Sequence, residues 1–290
     1  MKSIAIAVIT TLTLALNACS QGDVGKTASE KKVGVTMKWI TDHVFMRPES
    51  ALYDRERDMI YVSNINGAPI EKDGNGFISR VRTDGTVADL KWVEGLNAPK
   101  GMALAGGKLY VTDIDRLVEI DIASGKIANV WDLKGIFLND ITADSAGALY
   151  ISDNMANLIH RFDDGEARVW CAQGLGGPNG LLAETSRLLV ASLGEGVVKT
   201  VPWPDGPAAD WVKLEVGLDG IEPVGDGGYL VSVFDGAVYY ISSAGVPQKI
   251  LDTRPKNMQS ADIGYIPQLR LLLVPTFGDN RLAAYEVTIQ

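Results

Sequence analysis

Six times along the chain a residue that is polar in five cases, followed by a small or acidic one, introduces a hydrophobic strand. The residues at that recurring position are Glu49, Lys100, Asn139, Asn179, Asp219 and Ala261. They sit in comparable phrases: PESALYDRERDMIYVS, PKGMALAGGKLYVTD, LNDITADSAGALYISD, PNGLLAETSRLLVAS, LDGIEPVGDGGYLVS and SADIGYIPQLRLLLVP. Successive anchors are 51, 39, 40, 40 and 42 residues apart, and a period near 40 marks a supersecondary unit that stacks on copies of itself.

Each unit reads as β structure. Short β-branched or aromatic runs, such as Ile60-Tyr61-Val62, Leu149-Tyr150-Ile151 and Tyr229-Leu230-Val231, alternate with turn signals. Asp84-Gly85, Ser124-Gly125, Asp164-Gly165, Asp205-Gly206 and Ala244-Gly245 recur late in successive units, where hairpins should turn. No window keeps a helical period. Four short strands in each unit make a propeller blade, so six anchors predict an all-β, six-bladed β-propeller. The last repeat has room for only three strands, while VTMKWITDHV, residues 35–44, resembles the strand that precedes later anchors. The N-terminal strand is therefore expected to complete the sixth blade. The first repeat is longer than the others, and its excess, NGAPIEKDGN at residues 66–75, is expected to overhang one mouth of the channel.

The propeller is assigned to residues 35–290. Before it, residues 1–19 read as an export signal: Lys2, an apolar run over residues 4–16, and Leu16-Asn17-Ala18-Cys19. The run is too short to span a bilayer. Its ending matches a bacterial lipobox, which would put lipid on Cys19, and Ser20 at the following position predicts the outer membrane, facing the periplasm. Residues 20–34 read as a flexible tether. With Cys19 lipidated, Cys171 has no partner for an intramolecular disulfide. A net charge of −9 with scattered basic residues argues against nucleic acid, and no GxxxxGK[ST] sequence points to a nucleotide. The expected partners are a small-molecule substrate and, through the lipid alone, a membrane.

In a propeller the innermost strand of each blade runs along the axis, so the six anchors line one end of a central channel. Glu49, Asn139, Asn179 and Asp219 would present oxygens to a common point, the donor type that Ca²⁺ takes in sets of six to eight. Mg²⁺ and Mn²⁺ share that preference. Zn²⁺ is less favoured, because no histidine or cysteine stands among the anchors. Turn chemistry at blade entrances is the alternative explanation for the Asn-Gly and Asp-Gly pairs.

The phrases PES, LND, PNG and LDG at these intervals resemble the senescence-marker-protein/gluconolactonase family, which includes regucalcin, over residues 35–290. That resemblance implies that Glu49, Asn179 and Asp219 bind a divalent metal. It implies that Asn139 contacts the metal or the substrate through water, and that Asp219 also serves as general base. The implied activity is hydrolysis of lactones or similar cyclic esters. Two residues depart from the pattern. Phe137 stands where sugar lactonases of the family commonly carry arginine, which argues for a less polar substrate or none. Lys100 puts a cation at the second anchor, where it would pair with Glu49 or bind a substrate carboxylate. Lys100, Phe137 and Asn139 are thus the expected substrate contacts. A non-catalytic propeller that binds a ligand or protein is the alternative, and a lyase using the same metal site is a third class. His43 and His160 lack a partner pattern, Cys171 reads as a small buried hydrophobe, and residues 73–76 read as a plain loop without the acidic spacing of a calcium loop.

Overall fold

The computed structural model describes residues 32–290, so the signal segment, Cys19 and the tether as far as residue 31 lie outside the described residues. The described chain forms six four-stranded antiparallel sheets arranged as a β-propeller. Five blades each take four consecutive strands. The sixth is completed from the other end of the sequence: Val33–Ile40 pairs along Leu282–Ile289, and Lys32 and Gln290 exchange backbone hydrogen bonds of 3.1 and 3.0 Å. The closing strand begins at Val33, so the ring takes in the last two residues assigned to the tether. Val33 lies at the end of the ring opposite the anchors, since this outer strand runs antiparallel to the innermost ones.

Apolar residues fill the spaces between sheets. Leu189, Ala191 and Val198 of the fourth blade, for example, pack with Ile221, Val231 and Val233 of the fifth, all buried. Each such side chain contributes roughly 1.5–3 kcal/mol when fully withdrawn from water. Tryptophans add a second device. Trp39, Trp92 and Trp211 lie on outer strands, each against the hairpin glycine of the next blade. A Cβ on Gly85 would lie 2.7 Å from the Trp39 ring, one on Gly125 2.7 Å from Trp92, and one on Gly245 3.2 Å from Trp211. The Asp-Gly and Ser-Gly turns therefore serve twice. Glycine takes the positive φ that the turn requires, +90° at Gly85, and its missing side chain leaves a seat for the ring.

The inner strands break the simple alternation of a β-strand. In each of the first five blades the register slips at the anchor, between Pro48 and Ala51, Pro99 and Met102, Leu138 and Ile141, Pro178 and Leu181, and Leu218 and Ile221. Two residues then oppose one on the second strand, which is a β-bulge. The bulge amide finds a hydroxyl from that second strand: Ser50 N–H donates to Ser63 Oγ at 3.0 Å, Asp140 N–H to Ser152 Oγ at 2.9 Å, and Gly220 N–H to Ser232 Oγ at 2.8 Å. Bulges bring the inner strands of adjacent blades very close. A Cβ on Gly180 would lie 2.0 Å from the Asp219 carbonyl oxygen, which explains why a small residue follows that anchor.

Candidate functional site

The ring closes the anchors upon one another as the repeat predicts. Glu49, Asn139, Asn179 and Asp219 are 7, 6, 2 and 4% exposed. Asn139 Nδ2 donates to Asn179 Oδ1, Asn179 Nδ2 donates to the Leu218 carbonyl at 3.2 Å, and the Asp219 carboxylate accepts from Asn179. One amide chain thus runs from the third blade to the fifth. Glu49 completes the group from the first blade, and its Oε2 is buried without a hydrogen-bond partner. Burial first, then the neighbouring carboxylates Asp219 and Asp262, hold Glu49 well above the usual carboxylate range, with Lys100 pulling the other way. Asp219 is raised by burial and by Asp262, against the opposing hydrogen bond from Asn179. Among the described residues no three His, Cys, Asp or Glu side chains gather as a metal cradle. The anchor group instead combines two carboxylates with two carboxamides.

Lys100 is 1% exposed. Its ammonium donates to the carbonyls of Ala98 at 3.0 Å and Pro69 at 3.1 Å, and lies 4.5 Å from the centre of the Phe137 ring. Burial lowers its pKa to about 8, while Glu49 and Asp113 act in the opposite sense. Pro69 belongs to the long first-blade loop, so a buried lysine ties that loop to the mouth of the channel. Arg47 Nη1 to Gly67 O at 2.7 Å and Gly74 N–H to Asn97 Oδ1 at 3.2 Å secure it further. Phe137 is held from behind, where the Asp153 carboxylate accepts the amides of Ile136 at 2.8 Å and Phe137 at 3.0 Å.

A second group of acids, not anticipated from the sequence, lies deeper in the channel. Ser50 Oγ donates to Asp262 Oδ2 at 2.5 Å, and Asp140 accepts the amides of Ile141 at 2.7 Å and Leu181 at 2.6 Å. Burial pushes Asp262 up to about 7, with the Ser50 hydroxyl opposing. Asp140, Asp262, Ser50 and Glu222 line a cavity of about 300 Å³. The available signal was the position after each anchor, which carries Ser50, Asp140 and Asp262 where the other blades have Gly101, Gly180 and Gly220. A two-residue alternation points that position away from the channel, and at Ser50 and Asp140 the bulge turns it inward.

Other candidates lie apart from the anchors. A concavity of about 980 Å³ is a groove between the third and fourth blades at their hairpin turns. Two of its three acids are engaged in holding the fold: Asp144 accepts the amides of Ala146 and Ala148, and Glu184 accepts from Arg187 and Tyr229. His43 is exposed with Nδ1 2.7 Å from the Asp279 carbonyl, and His160 is buried with Nε2 3.7 Å from Asp153 Oδ2. Cys171 is half-buried against the third-to-fourth blade core. Asp73 accepts from the Asn75 backbone at 3.2 Å in an exposed turn.

Fold and anchors together define a six-bladed propeller whose channel is ringed at one end by oxygen-bearing side chains. No family model matches the chain, and no curated protein matches its sequence. Solved structures do match its shape. A gluconolactonase from Xanthomonas campestris superimposes with a TM-score of 0.70 at 15% identity, covering 90% of this chain and 91% of that one. A streptogramin B lyase gives 0.66 at 11% identity, over 89% of this chain and 98% of that one. A chain of the nidogen/laminin complex gives 0.62 at 19% identity, over 75% and 84%. Likeness at these identities shows the fold, which here hosts hydrolase, lyase and assembly partner alike.

Proposed function

We propose that this protein hydrolyses lactones or similar cyclic esters with the help of a divalent cation, Ca²⁺ in the first place, held by Glu49, Asn139, Asn179 and Asp219. The observation that carries the reading is the partnerless Glu49 Oε2, buried beside a second buried carboxylate. Two such groups are costly to keep together unless positive charge joins them. Lys100 supplies it only in part: its charge opposes the rise at Glu49, but two of its three N–H donors go to the Ala98 and Pro69 carbonyls and none bonds to Glu49. The donor set is all oxygen, and two formal negative charges match one hard divalent ion.

When bound, such a cation polarises an ester carbonyl. The remaining work falls to side chains of the chain. Asp219 takes the proton from an attacking water, a contribution of about 100- to 10,000-fold. Asn139, fixed by Asn179, orients the substrate, and Phe137 walls the approach. In this reading the chain is exported and lipidated at Cys19 in the outer membrane.

The test is a hydrolysis screen of the purified protein across sugar, aliphatic and aromatic lactones, after chelation and after Ca²⁺ is restored. Turnover that disappears on chelation and returns with Ca²⁺ supports the proposal. The near-complete burial of all four anchors favours a second reading, a structural cation in a binding propeller. Ca²⁺-dependent stabilisation without hydrolysis of any lactone would establish that reading in place of the first.

A further inference from the structure

The anchor mouth has an apolar rim, assembled from five blades. Phe234 and Phe277, from the fifth and sixth blades, meet edge to face with centroids 5.2 Å apart. Between them the chain approaches the one apolar anchor: Ser260 N–H donates to the Phe234 carbonyl at 3.1 Å, and Ala261 N–H to the Pro275 carbonyl at 3.1 Å. Phe277 packs onward against Ile65, Ala98 and Ile114 of the first and second blades. Ile114 accepts the Leu138 amide at 2.8 Å, which brings the belt to Phe137 on the third blade. There Ile136 and Met155 stand open to solvent at 59 and 61% exposure. They are neighbours, because the Asp153 carboxylate holds the Ile136 and Phe137 amides while the Phe137 carbonyl accepts Asn154 N–H at 3.0 Å.

Large apolar side chains left in water beside a polar floor mark a surface that covers something. Two polar groups along this rim are spent within the protein. Asn154 Nδ2 donates to the Pro178 carbonyl at 3.2 Å, and Lys72 pairs with Asp115. A polyhydroxylated ring entering here would lose water contacts against phenylalanine, whereas an alkyl or aryl group would gain by burial.

We infer that the mouth selects cyclic esters bearing an apolar substituent, with the ester over the anchor group and the substituent along Phe137, Ile136 and Met155. This rests on the hydrolase reading and gives it a substrate class. The test compares γ-lactones of increasing alkyl length, from γ-butyrolactone to γ-decanolactone, with glucono-δ-lactone, using the full chain loaded with Ca²⁺. Expected is a rise in kcat/KM of up to about fourfold per methylene, carried mainly by KM. Ile136→Ser, at an exposed position that the fold tolerates, should flatten that slope, with a loss that grows with chain length. Phe137→Ser should flatten it further. A slope of zero in the wild type, or faster turnover of glucono-δ-lactone than of the long γ-lactones, overturns the inference while leaving the hydrolase reading intact. Hydrolysis of neither series overturns both.

Discussion

Asn139 donates its side-chain N–H to the Asn179 side-chain oxygen across the boundary between the third and fourth blades, and Asn179 passes the chain on to the Leu218 carbonyl. Both amides are buried, so their bonds have no water to replace them. Asn179→Ala should leave Asn139 Nδ2 and the Leu218 oxygen unpartnered, at a cost of about 1–3 kcal/mol. For a domain of this size that is a fall in Tm of roughly 2–4 °C per kcal/mol. A melting curve that coincides with the wild type would show that the amide chain contributes nothing to the fold.

Glu49 should behave in opposite ways with and without metal. In the chelated protein, Glu49→Gln removes a buried charge that faces Asp219 and Asp262, and the variant should melt above the wild type. Ca²⁺ reverses the order. At 100 times Kd it should stabilise the wild type by about 2.7 kcal/mol and the variant much less. Calorimetry with and without chelator reads both effects. A variant that is destabilised when chelated, yet gains as much from Ca²⁺ as the wild type, would remove Glu49 from the site.

How much of this was legible depends on what repeats. The six anchors recur near a fixed interval, so the blade number, the closing strand and the convergence of Glu49, Asn139, Asn179 and Asp219 could be read directly. Asp140 was not read, because its inward direction comes from a bulge that no two-residue pattern encodes, and Asp262 was not read, because it precedes the inner strand of its blade and is placed by an isolated bridge to Ser50. Lys100 shows a different limit. Its position was visible, but its partners, Pro69 and Phe137, come from loops whose paths are set only by packing. Phe234 and Phe277 follow the second strands of successive blades, close to one repeat apart, so their common end of the ring was legible, whereas their edge-to-face contact depends on loop packing.

The tryptophan seats make a graded prediction. Gly85 and Gly165 both have positive φ, +90° and +82°, so alanine is strained at each. At Gly85 the added Cβ would also press on Trp39 at 2.7 Å, while at Gly165 the nearest Trp131 atom lies 3.9 Å away. Overpacking of the first kind typically costs a further 1–3 kcal/mol. Gly85→Ala should therefore lower the urea midpoint more than Gly165→Ala. Equal losses would mean that backbone strain alone explains both turns.

Glu215 gives the fold an acid-sensitive tie between the fourth and fifth blades. Lys249 first, then Tyr239 and Arg254, hold its pKa down to about 2. Lys249 Nζ and Arg254 Nη1 lie 2.5 and 2.7 Å from its two oxygens. A folded pKa below the unfolded one means stability that is present above about pH 4.5 and lost as pH falls towards 2. Glu215→Gln should be less stable than the wild type at pH 7, with the gap closing between pH 4.5 and 2. Because the side chain is 34% exposed, the gap should be small and should shrink in high salt. A gap that stays constant across that acid range would assign Glu215 a packing role instead.

Asp219 is the residue on which binding and chemistry can be separated. It lies in the anchor group, 4% exposed, and accepts from Asn179. Asp219→Asn keeps the shape and one side-chain oxygen but removes a negative charge and the proton acceptor. The variant should bind Ca²⁺ more weakly, which a titration followed by melting temperature measures apart from any reaction. Turnover should fall further than metal loss explains, by about 100- to 10,000-fold when both proteins are saturated with Ca²⁺. The saturated comparison is decisive because it holds occupancy equal, so that any remaining deficit belongs to proton transfer. Full recovery of kcat at saturating Ca²⁺ would make Asp219 a ligand alone and move the base to another group at the mouth.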